Sequence, residues 1–320
     1  MPPLPLVERF PALAALPRAP LGTFPSPVVR LSLPGGASLW IKRDDLDAPV
    51  CGGNKVRALE FLLGGVEPGD TVLTLGGDGS THVLATAHHA ARLGARTVAV
   101  RWRHEMHDAA RRVATLAAGR CVEVHRAYTV VDALARAALI RLARRRVRWV
   151  PIGGSSPLGT LGHVNAALEL ARQVVGGAMP LPRRVVVPLG SGGTSAGLSL
   201  GFAIAGLDTE VVAARVAPRI ASNAASVRRL ARRTARLIER LTGERMPRPV
   251  PVRVAHGWYG GAYGRPLAAG TAAARLFADR LNVALEGTYS GKAAAAALAL
   301  AGEPGPTLFW LTFDGRMLSD

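Results

Sequence analysis

The sequence predicts an α/β protein built from two units, each an open, mostly parallel sheet flanked by helices. Three observations predict it. From about residue 70 onward, short β-rich runs alternate with Ala- and Arg-rich helical stretches, the pattern of βαβ units. A second series restarts at Arg184–Leu189, after a stretch rich in Pro, Gly and Ser. The chain has 320 residues, which at roughly 150 residues per domain is about two domains.

Taken in order, Thr71–Leu75, Arg96–Arg101 and Cys121–His125 read as strands, separated by helical patterns at Ser80–Leu93 and His107–Ala118. Strands joined through helices pair in parallel. Pro151–Gly162 is expected to be the joint between the units, and Gly176–Pro182 a surface loop. Arg184–Leu189 is nearly all apolar, as a strand buried on both faces must be. A Gly-rich turn, a helix to Ala205 and a strand at Glu210–Val216 follow it. The helix expected near Ser226–Leu241 puts Leu230, Leu237, Ile238 and Leu241 on one side. Arg228, Arg229, Arg232, Arg233 and Arg236 occupy most of the rest.

Hydrophobic residues make up 49% and charged residues 19%, which excludes a disordered chain. The formal charge of +18 invites a nucleic-acid reading. Lys42, Lys55 and Lys292 are the only lysines, however, and the other 37 basic residues are arginines, a skew that resembles GC-rich codon usage. The arginine-rich helix and the Arg141–Arg148 cluster lack interleaved aromatics for base stacking. Both are expected to be solvated faces, and neither a nucleic-acid nor a membrane partner is expected. Cys51 and Cys121 are too few for a disulfide framework and form no CxxC pair, which fits a reducing cytoplasm. Prolines break the N-terminal segment, which does not read as a secretion signal. No window approaches the roughly 18 clean apolar residues of a membrane helix.

Gly190-Ser191-Gly192-Gly193-Thr194 lies between a buried strand and a helix. Its glycines would let backbone N–H groups converge at a helix N-terminus, which suits a phosphate; the other reading is a tight turn with nothing bound. GxGxxG fails at Ser195, and a Walker A loop fails at Glu286 and Ala293. Gly193-Thr194-Ser195-Ala196-Gly197 spells a hydrolase nucleophile elbow, with His256 and an acid such as Asp208 or Glu239 downstream, but without an oxyanion segment. Gly52-Gly53-Asn54-Lys55 runs into a helix, so Lys55 falls in a first turn, where N–H groups and desolvation favour the neutral amine of a Schiff-base lysine. Lys42 and Lys292 read as surface charge. His88-His89 and the pair His104 and His107 lack metal-site spacing and are expected in scattered surface or core roles.

The blocks IKRDD, GGNKVRALEFLL, GGDGSTH, PIGGSSPLGTLGHVNAALE, PLGSGGTSAGL, WYGGAYGRP, TYSGKAAAAAL and LFWLTFDG occur in an order that resembles the D-cysteine desulfhydrase and 1-aminocyclopropane-1-carboxylate (ACC) deaminase family. These are pyridoxal-phosphate enzymes of the tryptophan-synthase-β-like fold type II. The resemblance runs from about residue 20 to residue 315. It implies a larger cofactor domain of residues 1–56 and 158–320, a smaller α/β domain of residues 57–157, a small amino-acid substrate and a homodimer.

By the same resemblance, Lys55 holds the cofactor and serves as acid/base at the substrate Cα. Asn54, Thr81 and Gly190, Ser191, Gly192, Gly193 and Thr194 bind the cofactor, the last five at its phosphate. Ser80, His82 and Thr312 match substrate-side positions, Ser80 as a catalytic residue too, and Tyr263 and Tyr289 match two catalytic tyrosines near the ring, positioned to polarise or protonate the substrate. Ser290 matches the position facing the pyridine nitrogen. A hydroxyl there, like Thr312, points within the family to thiol elimination rather than ring opening. The sequence departs from the pattern at Gly79, Thr81, Leu311, Phe313, Asp314 and Cys51, which leaves open a changed substrate, in an ACC-deaminase-like or biosynthetic carbon–sulfur lyase. From other classes, a Ser195 hydrolase and a catalytically silent protein of this fold with a regulatory or nucleic-acid role stay open.

Overall fold

The computed structural model describes residues 3–318 except 105, 107 and 145. Helix α1 (Pro5–Arg9) leads to strands β1 (Val28–Ser32) and β2 (Ser38–Arg43), and α2 (Asn54–Leu62) follows. The middle of the chain is β3 (Thr71–Gly77), α3 (Thr81–Arg92), β4 (Arg96–Trp102), α4 (Asp108–Ala118), β5 (Glu123–Ala127), α5 (Val130–Ala143) and β6 (Val147–Val150). After α6 (Pro157–Val175) come β7 (Arg184–Leu189), α7 (Gly193–Ala205), β8 (Glu210–Arg215), α8 (Ala224–Thr242) and β9 (Val252–Ala255). The chain ends in α9 (Ala268–Leu281), α10 (Ser290–Leu300) and β10 (Thr307–Leu311).

Two sheets result. One has the order β1-β2-β10-β7-β8-β9 and is parallel except at its β1–β2 edge. The other, β5-β4-β3-β6, is parallel throughout. The central strand β7 carries Val185, Val186, Val187 and Leu189, all fully buried, because helices cover both faces of a parallel sheet. Val186 faces a core with Phe277 and Phe309, whereas Val185 and Val187 face another with Phe202 and Trp310.

Several expectations are corrected. The third strand of the middle series is Glu123–Ala127 rather than Cys121–His125: Cys121 N–H still closes the turn after α4 onto Ala118 O at 3.3 Å. Pro151–Gly162 is only partly a joint, since α6 already starts at Pro157, with Ser156 accepting from Gly159 N–H at 3.1 Å. Proline suits a first helical turn because its missing N–H has no helical partner there. Of the α4 pattern, His107 lies outside the described residues.

Lys42 and Lys292 are not surface charges; both are fully buried. Lys42 Nζ donates to Glu169 Oε1 at 2.5 Å and to Ser26 O and Gln173 Oε1, both at 2.6 Å. Arg57 bridges Glu169 and Asp44, and Trp310 Nε1 donates to Asp44 Oδ2 at 2.6 Å. Two cations and two carboxylates thus balance inside the protein, the condition on which buried charge is tolerated. Lys292 Nζ donates to Tyr259 O at 2.8 Å, and desolvation lowers its pKa to about 8.

Candidate active site

Three helix N-termini open onto one cleft. Its lining includes Asn54 and Lys55 from α2, Ser80, Thr81 and His82 at the start of α3, and Gly192, Gly193 and Thr194 at the start of α7. The first N–H groups of a helix lack intrahelical partners and carry partial positive charge, so the cleft favours a ligand with more than one anionic group. Gly190, Ser191, Tyr263, Tyr289 and Thr312 also line it. Of the residues that the family resemblance assigns to catalysis, cofactor or substrate, only Ser290 is not among the lining residues.

Gly53 shows why the turn before Lys55 must have its sequence. Its φ is +120°, and a Cβ there would lie 2.4 Å from Thr312 O. Asn54 N–H donates to that carbonyl at 3.1 Å, and Asn54 Nδ2 donates to Thr194 Oγ1 at 2.7 Å. The lysine turn is therefore tied both to the end of β10 and to the Gly-rich cradle. Asp314 adds a further tie: its carboxylate holds Arg316, whose guanidinium donates to Asp45 O and Ala48 O, each at 2.9 Å. The Asp314 departure thus braces the loop ahead of Lys55, and Phe313 pairs with Gly53 in an isolated antiparallel bridge.

Among the described residues, Lys55 Nζ has a single weak hydrogen bond, to Gly153 O at 3.5 Å, and desolvation pulls its pKa down to about 8. His82 Nε2 bonds Thr74 Oγ1 at 3.0 Å. Burial first, and the nearby Lys55 charge second, lower its pKa to about 3, so it is a neutral imidazole near pH 7. Ser80 caps α3, its Oγ accepting from Val83 N–H at 3.4 Å. Tyr263 and Tyr289 are bonded to each other through their hydroxyls. Burial raises Tyr263 to about 12 and Tyr289 well above the ordinary phenol value, so both keep their protons at neutral pH.

Ser290 is fully buried in the first turn of α10. Its Oγ accepts from Glu286 N–H at 3.1 Å and donates to Glu286 Oε1 at 3.0 Å. The Glu286 carboxylate also accepts the N–H groups of Thr288, Tyr289 and Ser290 at 2.6–2.9 Å. It caps α10 and fixes the backbone of Tyr289, a role nothing in the local sequence announced. Ser155 has no role in the sequence reading, which takes its segment as a joint and as a block of the family resemblance. Its Oγ donates to Ser191 Oγ at 2.8 Å and accepts Gly193 N–H at 3.1 Å, bracing the cradle from outside. A run of small polar residues beside a proline was the available signal.

The hydrolase elbow is not assembled. Ser195 is 1% exposed and is not among the cleft residues, whereas a nucleophile elbow must present its hydroxyl. His256 accepts at Nδ1 from Arg215 at 3.0 Å, Glu239 accepts Met246 N–H, and Asp208 is 97% exposed beside Arg183.

Fold and cleft together define an enzyme that holds an anionic, amine-reactive ligand between two α/β layers. The chain belongs to the pyridoxal-phosphate dependent enzyme family, whose description matches residues 20–312. It is 36% identical over 318 residues to Nocardicin C-9' epimerase of Nocardia uniformis subsp. tsuyamanensis, covering 95% of this chain and 94% of that one. It is 32% identical over 324 residues to D-cysteine desulfhydrase of Salmonella choleraesuis (strain SC-B67), covering 92% and 89%. The crystal structure of an ACC deaminase homologue superposes with a TM-score of 0.80 at 29% identity, over 100% of this chain and 99% of that one. The crystal structure of a T.th. threonine deaminase shares the fold, at 21% identity and a TM-score of 0.67 over 98% of this chain and 97% of that one.

The cofactor implied by family membership is pyridoxal phosphate, and the residues fit it. A desolvated amine without a strong partner stands ready for an aldehyde. Gly190, Gly192 and Gly193 leave open a cradle at the α7 N-terminus: a Cβ at Gly190 would press on Tyr289 at 3.3 Å, and one at Gly193 on Ser155 Oγ at 2.8 Å.

Proposed function

We propose that this protein is a lyase that removes the β-substituent of a small amino acid, with D-cysteine as the model substrate and pyruvate, sulfide and ammonia as products. The observation that carries the proposal is Lys55, a desolvated amine at the meeting point of three helix N-termini. When bound, pyridoxal phosphate supplies the electron sink that makes a substrate Cα–H bond acidic.

The protein's own residues do the rest. Lys55 would hold the cofactor, Gly190 to Thr194 its phosphate, and Asn54 and Thr81 its flank. The α3 N-terminus, with Ser80 and Thr81, would hold the substrate carboxylate, while the neutral His82 supplies shape without competing charge. Thr312 would bound the substrate side. Once free, the Lys55 amine takes the Cα proton. The Tyr263–Tyr289 hydroxyl pair, protonated and hydrogen-bonded, donates to the departing thiolate. A Cα=Cβ bond replaces the lost C–H and C–S bonds, and water hydrolyses the released enamine to pyruvate and ammonia. Ser290, tied to Glu286, contributes by fixing the start of α10, directly after Tyr289; the ring-nitrogen role implied by the family resemblance would need its hydroxyl turned toward the cofactor.

A reducing cytoplasm belongs to this proposal, supported by two free cysteines, and so does the homodimer that the family resemblance implies. So does a division into residues 1–56 with 158–320, and 57–157, supported by the separate six- and four-stranded sheets. Among the described residues, no helix is long and apolar enough to cross a membrane.

A second reading is Cα epimerisation, favoured by the 36% identity to the Nocardia epimerase and by two proton-handling groups, Lys55 and the tyrosine pair. The readings share loss of the Cα proton and part at the β-bond. Purified wild type and Lys55→Ala are compared by visible spectrum, then given D-cysteine, L-cysteine, D-serine and ACC in D₂O. Elimination predicts a yellow band that depends on Lys55, with sulfide and pyruvate from D-cysteine. Epimerisation predicts deuterium at Cα with sulfur retained. Keto acid from ACC alone would overturn the elimination reading.

A further inference from the structure

The geometry points to the exposed face of α8 as a docking surface for the phosphodiester backbone of duplex nucleic acid, separate from the cofactor cleft. Along this helix Arg228, Arg229, Arg232, Arg233, Arg236 and Arg240 are all exposed, and Arg245 and Arg248 continue the exposed basic surface beyond its end. At 100° per residue, the six helical arginines cover an arc of about 140°, on a rod about 28 Å long. The opposite face, with Val227, Ala231, Thr234 and Ile238, is buried, so the helix is fixed and its cationic face cannot turn inward.

None of these eight arginines pairs with a carboxylate among the described residues. The two acids in the stretch are engaged elsewhere: Glu239 accepts Met246 N–H at 3.0 Å, and Glu244 pairs with Arg9 at 3.0 Å. The pairs 228/232, 232/236, 236/240 and 229/233 stand four residues apart with like charge, an arrangement that works against the helix itself. Arginines 228, 229, 232, 233 and 236, with Ala225, also line a groove of about 310 Å³. Codon usage can explain arginine in place of lysine, but it cannot explain an excess of positive charge, which both residue types would carry. Nor does a second copy of this face cover it, because a twofold contact would set arginine against arginine.

Duplex rather than single strand follows from chemistry: the array holds no aromatic side chain for stacking on bases. A cationic arc on a straight helix can meet the phosphates on both walls of the major groove of B-form DNA, about 12 Å wide. Backbone contacts alone give sequence-independent, salt-dependent binding.

The test uses the cofactor-loaded enzyme and a fluorescein-labelled duplex of about 20 bp and arbitrary sequence, long enough to span the whole array, with anisotropy measured across a KCl series. The array variant is Arg228→Glu/Arg232→Glu/Arg236→Glu. The control is Arg96→Glu/Arg275→Glu/Arg280→Glu, which makes the same charge change at other exposed positions. Both should keep the wild-type cofactor spectrum; if the glutamate array does not, glutamines at the same positions replace it. The proposal expects the array variant to bind at least about tenfold more weakly and to lower the log–log salt slope by about 2.7, three phosphate contacts at roughly 0.9 each. The control should stay within about twofold of wild type. Equal weakening in both variants would mean general charge and overturn the proposal. So would absence of duplex binding, with or without array-dependent binding to phosphatidylserine vesicles.

Discussion

At the scale of single residues, the three lysines separate by environment. Lys42 is locked in a charge-balanced network and Lys292 is bonded to Tyr259 O, but Lys55 is desolvated without a strong partner. With its pKa moved from 10.5 to about 8, about a quarter of Lys55 is neutral at pH 7.5, against about a thousandth of an ordinary lysine. Brief acetylation of the cofactor-free protein, mapped by peptide mass spectrometry, should show Lys55 reactivity rising about tenfold per pH unit up to about pH 8 and then levelling. A rise continuing past about pH 10, where an ordinary lysine titrates, would remove the desolvation argument. The same shift has a stability consequence. Below about pH 8 both folded and unfolded chains hold the proton, and the burial penalty is felt in full. Between about 8 and 10.5 the unfolded chain alone keeps it, so the stability of the cofactor-free protein rises with pH through that window.

At the scale of elements, the site depends on how closely helices approach behind it. A Cβ on Gly162 of α6 would lie 1.9 Å from Arg57 O, in the helix that begins with Asn54 and Lys55. On α7, Gly197 and Gly201 meet α6 in the same way, at His163 Cβ and Ala167 Cβ. Gly162→Ala should therefore cost roughly 1–3 kcal/mol through overpacking and weaken pyridoxal-phosphate binding as α2 is displaced. Urea unfolding midpoints together with cofactor titration check it; unchanged affinity with lowered stability would mean that α2 holds its place independently of α6. The glycines around Lys55 and in the cradle were legible as turns because they precede periodic helical patterns. Gly162 was not: it reads as part of a joint, because the backbone it meets, at Arg57, is far away in the chain and leaves no local trace. The α3 and α7 starts were legible for the opposite reason, since strand, turn and first helical residues are contiguous in sequence.

At the scale of the whole molecule, what the sequence could not show is which distant charges meet. Lys42, 127 positions from Glu169, read as surface charge because a lysine is almost never fully buried unless paired. Only the fold brings β2, α2, α6 and β10 to one point, where Lys42, Arg57, Asp44, Glu169 and Trp310 join the N-terminal strands to the helix behind the cleft. Burial by itself would raise the Glu169 carboxyl, but Arg57 and Lys42 beside it hold it below the ordinary carboxylate value. Its charge is therefore present at neutral pH, and removing it leaves two buried cations facing only Asp44. Glu169→Gln should destabilise the protein by about 3–5 kcal/mol, the usual cost of breaking a buried pair from one side. Adding Lys42→Met restores the balance between Arg57 and Asp44, so the double variant should be more stable than Glu169→Gln alone despite carrying two changes. Urea unfolding of wild type, both single variants and the double variant measures the coupling. Additive losses would show that the four charges act independently, and that the β2–β10 ladder and apolar packing hold the N-terminal strands without them.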